Sequence, residues 1–177
     1  GVMMNVPTTL TIMRLFLVPV FVAIFFSSWA HSMFYALLIF IIAGMTDVLD
    51  GYLARKYDLV TKLGQVLDPF ADKLMQLAVL ICLTIKGLIP IWFLIIYGAK
   101  ELTMIFGGIF LYTKKGKTVI PANSFGKAAT LVFYLAIISV FLQSEYSVYI
   151  FIISIGFALL AFIRYSIIGS KKLKELH

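Results

Sequence analysis

Six long apolar stretches dominate this sequence and restrict the folds that it can adopt. They fall at about residues 7–29, 33–54, 65–85, 88–112, 124–142 and 147–169, separated by short polar or charged connections. A membrane-spanning helix needs about 20 predominantly apolar residues, and every stretch is close to that length, with the fifth slightly short. We therefore predict an all-α polytopic membrane protein with six transmembrane helices, built as a single integral-membrane domain over residues 1–177.

The composition favours a membrane protein over a soluble one. Hydrophobic residues make up 62% of the chain, against about 45–50% in ordinary soluble domains. Cys82 is the only cysteine, so a disulfide framework is excluded, and it lies in an apolar stretch. The net charge of +7 would suggest nucleic acid as the partner of a soluble chain. In a membrane protein it favours anionic lipid headgroups or an anionic substrate, and we expect no nucleic-acid partner.

The basic residues predict how the helices are oriented. Fourteen of the fifteen lysines and arginines fall at the two termini, in the second and fourth connections, or beside these connections. Lys86 alone lies on the other side. Because cytoplasmic segments of membrane proteins carry an excess of Lys and Arg, we expect a cytoplasmic-membrane protein with an even number of spans and both termini in the cytoplasm.

The N-terminal segment carries its own signals. Gly1 and Val2 precede two methionines and look like residues left by cloning, so they are excluded from fold reasoning. The piece "NVPTTLTIMR" is mildly amphipathic, with Asn5 or a threonine as a helix cap and Pro7 in the first turn. This pattern is compatible with an interfacial helix ahead of the first span. Pro19 is expected to kink that span.

Acidic residues are concentrated on two successive helices. Five of the eight fall between Asp47 and Asp72, and one of these, Asp58, belongs to the polar connection. Asp47 and Asp50 are three residues apart, and Asp68 and Asp72 are four apart, so each pair shares a helix face. A short turn joins the two helices, which makes them antiparallel neighbours. We expect both pairs to converge at a similar depth near the cytoplasmic end.

Four carboxylates in membrane helices require compensating charge. Each costs about 2.5–3.5 kcal/mol at the centre of a membrane helix on insertion scales. Lys56, Lys62 and Lys73 lie nearby, but their long side chains can reach water. With no histidine or cysteine nearby, the four carboxylates form an all-oxygen set that suits Mg²⁺, Mn²⁺ or Ca²⁺. Two divalent ions would balance the charge and could clamp phosphoryl oxygens during a displacement.

Small residues and an arginine accompany the acids. Gly51 and Gly64 remove side chains beside the predicted metals, which lets a bulky anion approach the backbone. Ala54 adds little bulk to the helix face that it shares with the acids, and the planar guanidinium of Arg55 suits a phosphate. A lone intramembrane acid would be read as a salt-bridge partner. Four acids at these spacings, with small residues between them, favour a functional site.

These residues resemble the signature of the CDP-alcohol phosphotransferase family, and all eight signature positions have the family spacing. The pattern is Asp47-x2-Asp50-Gly51-x2-Ala54-Arg55-x8-Gly64-x3-Asp68-x3-Asp72. The segment "NVPTTLTIMR" also looks like the N-terminal segment of the family's phosphatidylglycerophosphate and cardiolipin synthases. Six helices form the family core.

The resemblance implies a reaction and a site. A CDP-linked lipid, usually CDP-diacylglycerol, is the donor, an acceptor hydroxyl attacks the phosphate that carries the lipid, and CMP leaves. The family's four aspartates hold two divalent ions, Mg²⁺ or Mn²⁺, and the last of them, here Asp72, also takes the acceptor's proton. Family members are expected to form homodimers. Four further positions match the lining of the CDP pocket: Gly51, Ala54, Arg55 and Gly64.

The acceptor is specified by weaker signals. The family's phosphatidylglycerophosphate synthases typically carry Arg-Glu on the fourth helix and another arginine two turns later. Here "AKELTMIFGGIF" has Lys100 and Glu101, with the later position at about Gly108. "SFGKAATL" resembles the family's Gly-Lys-x-x-Thr stretch, so Lys127 and Lys100 are candidate ligands of an acceptor phosphate. We favour glycerol 3-phosphate. The alternative is phosphatidylglycerol, with Gly107 and Gly108 making room for a second lipid, as in a cardiolipin synthase.

A divalent-cation transporter is the alternative from a different class, because intramembrane acids also mark ion pathways. Transporters place such acids near the midplane on broken helices. Here the acids lie at one end of their helices, beside Arg55 and Lys56. We therefore favour catalysis at the cytoplasmic membrane boundary.

Overall fold

The chain forms six α-helices in the computed structural model, which describes residues 6–58, 62–114 and 124–175. No strand occurs within these ranges, so the all-α prediction is confirmed, and each helix overlaps one predicted apolar stretch. In chain order the helices are α1 (Val6–Phe25), α2 (Ser32–Lys56), α3 (Lys62–Ile85), α4 (Ile91–Lys114), α5 (Ser124–Phe141) and α6 (Ser147–Glu175).

The length and apolar composition of the helices are those of a membrane protein. Within the described residues, three segments are long and apolar enough to cross a bilayer: Val6–Phe25, Ser32–Ala54 and Ser147–Lys171. The segment Phe125–Phe141 is apolar but shorter. Large apolar side chains are exposed on these helices, Phe16 and Val48 among them, as expected where lipid covers the surface. That all six helices span the membrane stays a prediction.

The first compact unit ends at Pro90 and contains α1, α2 and α3. Within it α1 packs against both other helices. Phe21 and Phe25 of α1, Phe40 of α2 and Met75 of α3 are almost fully buried and form its apolar core. Because α1 lies against both partners, its polar side chains can reach the acidic ends of α2 and α3.

The N-terminal segment differs from the expected interfacial helix. From Val6 onward it is part of α1, which continues through Pro19 without interruption. Thr8 and Thr11, two polar side chains of this segment, are buried. Because these polar side chains pack inside the helix bundle rather than facing the membrane surface, the segment is continuous with α1. No separate interfacial helix forms within the described residues. Gly1, Val2 and Asn5 lie outside them.

The second compact unit begins at Ile91 and contains α4, α5 and α6. Helices α5 and α6 pack along each other. The ring centroids of Phe93 and Phe151 are 4.7 Å apart, and those of Tyr97 and Phe133 are 5.0 Å apart. The hydroxyl groups of Tyr97 and Ser154 are hydrogen-bonded. This buried aromatic core fixes one face of α4 within the unit.

Short turns join the helices at the ends predicted to face away from the cytoplasm. Gly87, with φ 70°, and Gln143, with φ 53°, end α3 and α5 in the left-handed region. At Gly87 the amide donates to Thr84 O at 3.0 Å, and the next amide donates to Leu83 O at 2.9 Å. The turn at Gln143 has the same pair of bonds, 3.0 and 2.9 Å long. These are Schellman motifs, which satisfy the last carbonyl groups of a helix.

Lys86, the one basic residue predicted on this side, has a structural role. Its Nζ donates a hydrogen bond of 3.1 Å to the carbonyl of Phe25, the last residue of α1. It also lies 4.7 Å from the centroid of the Phe25 ring. A cation at a helix C-terminus offsets the negative end of the helix dipole, so Lys86 ties α3 to the end of α1.

Candidate active site

The four aspartates lie at matching depths in α2 and α3. Asp47 and Asp50 precede the end of α2 at Lys56, and Asp68 and Asp72 follow the start of α3. At 1.5 Å per residue, all four are about 9 to 15 Å from the helix ends joined by the short connection. The predicted convergence of the two acidic pairs depends on this antiparallel arrangement.

Arg14 of α1 bridges the first acidic pair. Its Nη1 lies 2.7 Å from Asp47 Oδ1, and its Nη2 is paired with Asp50 Oδ2. The side chains of Arg14 and Asp50 are only 1% and 2% exposed, whereas that of Asp47 is 35% exposed. The expectation that Asp47 and Asp50 share a helix face is therefore confirmed, since one guanidinium reaches both.

Thr46 fixes the remaining edge of the Arg14 guanidinium. Arg14 Nε donates to Thr46 Oγ1 at 3.5 Å, and the Thr46 hydroxyl donates to Ala43 O at 2.8 Å. Because Thr46 already donates its only hydroxyl proton to the backbone, its oxygen is left to accept from Arg14. The guanidinium is thus held by three oxygen-bearing side chains of one helix.

Thr11 links the two helices that carry the acids. Its Oγ1 lies 3.3 Å from Asp50 Oδ2 and contacts Asp68 Oδ1. The Thr11 side chain is fully buried, and its Oγ1 is also 3.1 Å from the carbonyl of Pro7. Asp50 of α2 and Asp68 of α3 therefore share one hydroxyl neighbour, which confirms that these two carboxylates come together.

Asp72 lies one turn further along α3. Gln76 Nε2 donates a hydrogen bond of 3.1 Å to its Oδ2. Asp72 follows Asp68 by four residues, so the two carboxylates share one face of α3.

The donor atoms of this cluster fit divalent metal ions by their chemistry. Asp47, Asp50 and Asp68 contribute carboxylate oxygens and Thr11 a hydroxyl, which are ligand types that Mg²⁺ and Mn²⁺ accept. Among the described residues, no three His, Cys, Asp or Glu side chains form a ready-made metal site. Instead, the Arg14 guanidinium lies between Asp47 and Asp50 and supplies the compensating charge.

Sequence reasoning did not identify Arg14 or Thr11 as parts of this site. The charge pattern places Arg14 among the basic residues of the cytoplasmic side, whereas its side chain is buried and ion-paired. A signal was available, because Arg14 is the only charged residue in α1. A charged side chain within a membrane helix is expected to face the bundle interior and to pair.

The predicted CDP-binding positions are only partly described. Gly51 and Ala54 lie on α2, half-buried, one turn after Asp47 and Asp50 respectively. Arg55 and Gly64 fall within α2 and α3, but the side chain of Arg55 and the surroundings of Gly64 lie outside the described part of the structure. The role of all four residues stays a prediction.

The predicted acceptor residues belong to the second unit. Lys100 pairs with its neighbour Glu101, and its Nζ lies 5.4 Å from the Tyr97 ring centroid. Glu101 is buried, with 1% of its surface exposed. Lys127 is exposed in the first turn of α5. Lys100 is therefore held in place by α4, whereas Lys127 is open to solvent or ligand.

The carboxylate cluster belongs to a helical membrane protein and lies toward one end of α2 and α3. Residues 4–161 match the sequence model of the family described as CDP-alcohol phosphatidyltransferase. Since this match covers most of the chain, the protein belongs to that family. The family generally uses divalent metals, and its substrates are a CDP-alcohol and an acceptor alcohol.

Similar proteins carry two names. The chain is 34% identical to a Bacillus subtilis CDP-diacylglycerol–glycerol-3-phosphate 3-phosphatidyltransferase, over 80% of this chain and 79% of that protein. A Haemophilus influenzae protein of the same name is 52% identical, but the match spans only 44% of this chain and 42% of the relative. A Mycobacterium tuberculosis protein named provisionally as a cardiolipin synthase is 33% identical, over 73% and 61% of the respective lengths.

Proposed function

We propose that this protein transfers the phosphatidyl group of CDP-diacylglycerol to glycerol 3-phosphate and releases CMP. The observation that carries the proposal is the gathering of Asp47, Asp50 and Asp68 around Arg14 and Thr11. Family membership supports the CDP-linked donor. The name of the Bacillus relative, which matches about four-fifths of this chain, supports the acceptor.

The donor site is proposed at the acidic ends of α2 and α3. Asp47, Asp50, Asp68 and Asp72 would hold two divalent ions, Mg²⁺ or Mn²⁺. When bound, such ions neutralise the diphosphate and make CMP a better leaving group. Four positions on the same two helices would receive the rest of the CDP group: Gly51, Ala54, Arg55 and Gly64.

The chain's own groups then position the acceptor and move one proton. The acceptor oxygen forms a bond to the phosphorus that carries diacylglycerol, and the bond from that phosphorus to the CMP oxygen breaks. Asp72 takes the proton of the attacking hydroxyl. Gln76 donates a hydrogen bond of 3.1 Å to Asp72 Oδ2, which orients the carboxylate for that proton transfer.

Lys100 and Lys127 are the proposed ligands of the acceptor phosphate. Lys100 is restrained by Glu101 and by the Tyr97 ring, so it loses little freedom when it binds an anion. Lys127 is an exposed cation at the start of α5. Two cations suit an acceptor that carries a phosphate.

The proposed reaction takes place at the cytoplasmic face of the cytoplasmic membrane. The bias of basic residues supports cytoplasmic termini, and the acids lie toward the same ends of their helices. The diacylglycerol tails would remain in lipid while the headgroup enters the site. A homodimer is proposed from the family resemblance.

An acceptor screen tests this function. The purified protein in lipid nanodiscs receives CDP-diacylglycerol labelled in its lipid, with glycerol 3-phosphate, phosphatidylglycerol or no acceptor, in Mg²⁺ or in EDTA. We expect CMP and phosphatidylglycerophosphate only with Mg²⁺ and glycerol 3-phosphate. Formation of cardiolipin from phosphatidylglycerol would instead favour a cardiolipin synthase. Metal flux into proteoliposomes without CMP release would instead support a transporter.

A further inference from the structure

Arg14 occupies the position among the acids where a compensating cation is required. Its two terminal nitrogens reach Asp47 Oδ1 and Asp50 Oδ2, and the side chain is 1% exposed. An arginine so deeply buried is not a surface anchor. Burying the Asp50 carboxylate without a partner would be strongly unfavourable, so Arg14 stabilises the cluster as it stands.

The same oxygen atoms are the ones that a divalent ion would use. Asp50 Oδ2 already contacts both Arg14 and Thr11, which leaves it little capacity to accept a further partner in the same direction. A divalent ion between Asp47 and Asp50 would also lie beside the positive charge of the guanidinium and be repelled by it. Arg14 and the metal therefore compete for one place.

We propose that Arg14 is a resident counter-cation that holds the acid cluster together before metal binds and is displaced by the incoming ion. This inference rests on the metal site of the proposed function. It assigns Arg14 a role in metal exchange, as a positioning residue rather than a catalytic one. Arg14 should weaken metal affinity while it stabilises the metal-free protein.

Mn²⁺ binding and thermal unfolding test the two halves of this role. The purified protein, without lipid substrate, is titrated with Mn²⁺ by electron paramagnetic resonance, and its unfolding temperature is measured in EDTA and in Mn²⁺. We expect R14Q to bind Mn²⁺ about tenfold more tightly, because a competitor and a like charge are removed. R14Q should also unfold at a lower temperature in EDTA. Mn²⁺ should raise its unfolding temperature by more than it raises that of the unsubstituted protein.

K86Q is the matched control. It removes one positive charge from the same unit, but at the α1 end where Lys86 Nζ bonds Phe25 O. K86Q should lower the unfolding temperature in EDTA and in Mn²⁺ alike and leave Mn²⁺ affinity unchanged. If R14Q binds Mn²⁺ more weakly than the unsubstituted protein, Arg14 arranges the ligands instead of competing with metal, and the inference is wrong.

Chemical modification tests the inference without any substitution. In EDTA the buried Arg14 should resist an arginine-specific dicarbonyl reagent, and saturating Mn²⁺ should expose it. Arg164, exposed on α6, serves as the reference within the same digest. Arg14 that stays protected in Mn²⁺ overturns the displacement, even if R14Q fails to fold.

The outcomes separate this inference from the function on which it rests. Equal Mn²⁺ affinity in R14Q and the unsubstituted protein, together with metal-dependent CMP release, would reject the role of Arg14 alone. Absence of Mn²⁺ binding and of CMP release in every variant would reject both.

Discussion

Thr11 and Arg14 lie one turn apart on α1 and together contact three aspartates of two other helices. The spacing of those aspartates could be predicted from sequence, because positions three or four apart share a face in any helix. The contacts of α1 could not, because Arg14 is 33 residues from Asp47 and Thr11 is 57 residues from Asp68. Such partners are chosen by helix packing, which local periodicity does not encode.

Thr11 gives the first prediction at the residue scale. Thr11→Val keeps the shape of this buried side chain but removes the hydroxyl shared by Asp50 and Asp68. Because a hydrogen bond to a charged group is worth about 1.5–3 kcal/mol, we expect metal-dependent CMP release to fall about tenfold or more. Thr11→Ser retains the hydroxyl and should keep most of the activity. Equal rates for the two variants would show that the hydroxyl has no part in the site.

Asp50 gives the second prediction at the residue scale. Asp50→Asn replaces a buried carboxylate that both Arg14 and Thr11 contact. We expect CMP release to fall by at least about a hundredfold, since even the outer partners of metal ligands cost 10- to 100-fold. Asp58→Asn is the matched control, because Asp58 is exposed in the α2–α3 connection. If both variants retain full activity, Asp50 is not a ligand.

At the scale of helices, the apolar stretches predicted the elements well and their ends less well. Helix α1 ends at Phe25 rather than near 29, and Ser27 Oγ donates to Ile24 O at 2.7 Å in the turn that follows. Helix α6 continues to Glu175 rather than stopping near 169. Its last turns carry lysines, which extend a helix without adding apolar length. Hydropathy therefore predicts which residues face lipid, but it does not predict where the helical hydrogen bonds of the backbone end.

Gly87 provides a prediction about a helix end. A Cβ at this position would meet no atom within 4 Å, but φ is 70°. Gly87→Ala should therefore destabilise the protein by about 1–2 kcal/mol through backbone conformation alone. Thermal unfolding in detergent measures the change.

Gly156→Ala is the control for Gly87→Ala. Gly156 also has open space around a Cβ, and it lies inside α6 without a positive φ. Alanine should stabilise this helix by up to about 1 kcal/mol. A loss of stability at both positions would mean that added bulk, rather than φ, is responsible.

At the scale of the whole molecule, the distribution of basic residues makes a prediction about topology. In the proposed orientation the α2–α3 connection faces the cytoplasm and the α5–α6 turn faces outward. Cysteines introduced as Asp58→Cys and Glu145→Cys should therefore react on opposite sides with a membrane-impermeant maleimide. The native Cys82 is only 3% exposed, so it should contribute little background.

The expected labelling pattern is specific. In intact bacterial cells that express the protein, the cysteine at 145 should be labelled, and the one at 58 only after permeabilisation. The unsubstituted protein, with Cys82 alone, is the control. The reverse pattern would place the acids on the outer face and contradict the proposed access of CDP-diacylglycerol from the cytoplasm.

The short turns that end α1, α3 and α5 also determine what the outside of a cell would display. They occupy residues 26–31, 86–90 and 142–146, five or six residues each. In the proposed orientation, an antibody raised against intact cells would find few epitopes on this protein. Each turn is also tied by backbone hydrogen bonds, so it offers little slack for an inserted tag. Affinity reagents and fusion partners should therefore be directed to the cytoplasmic ends.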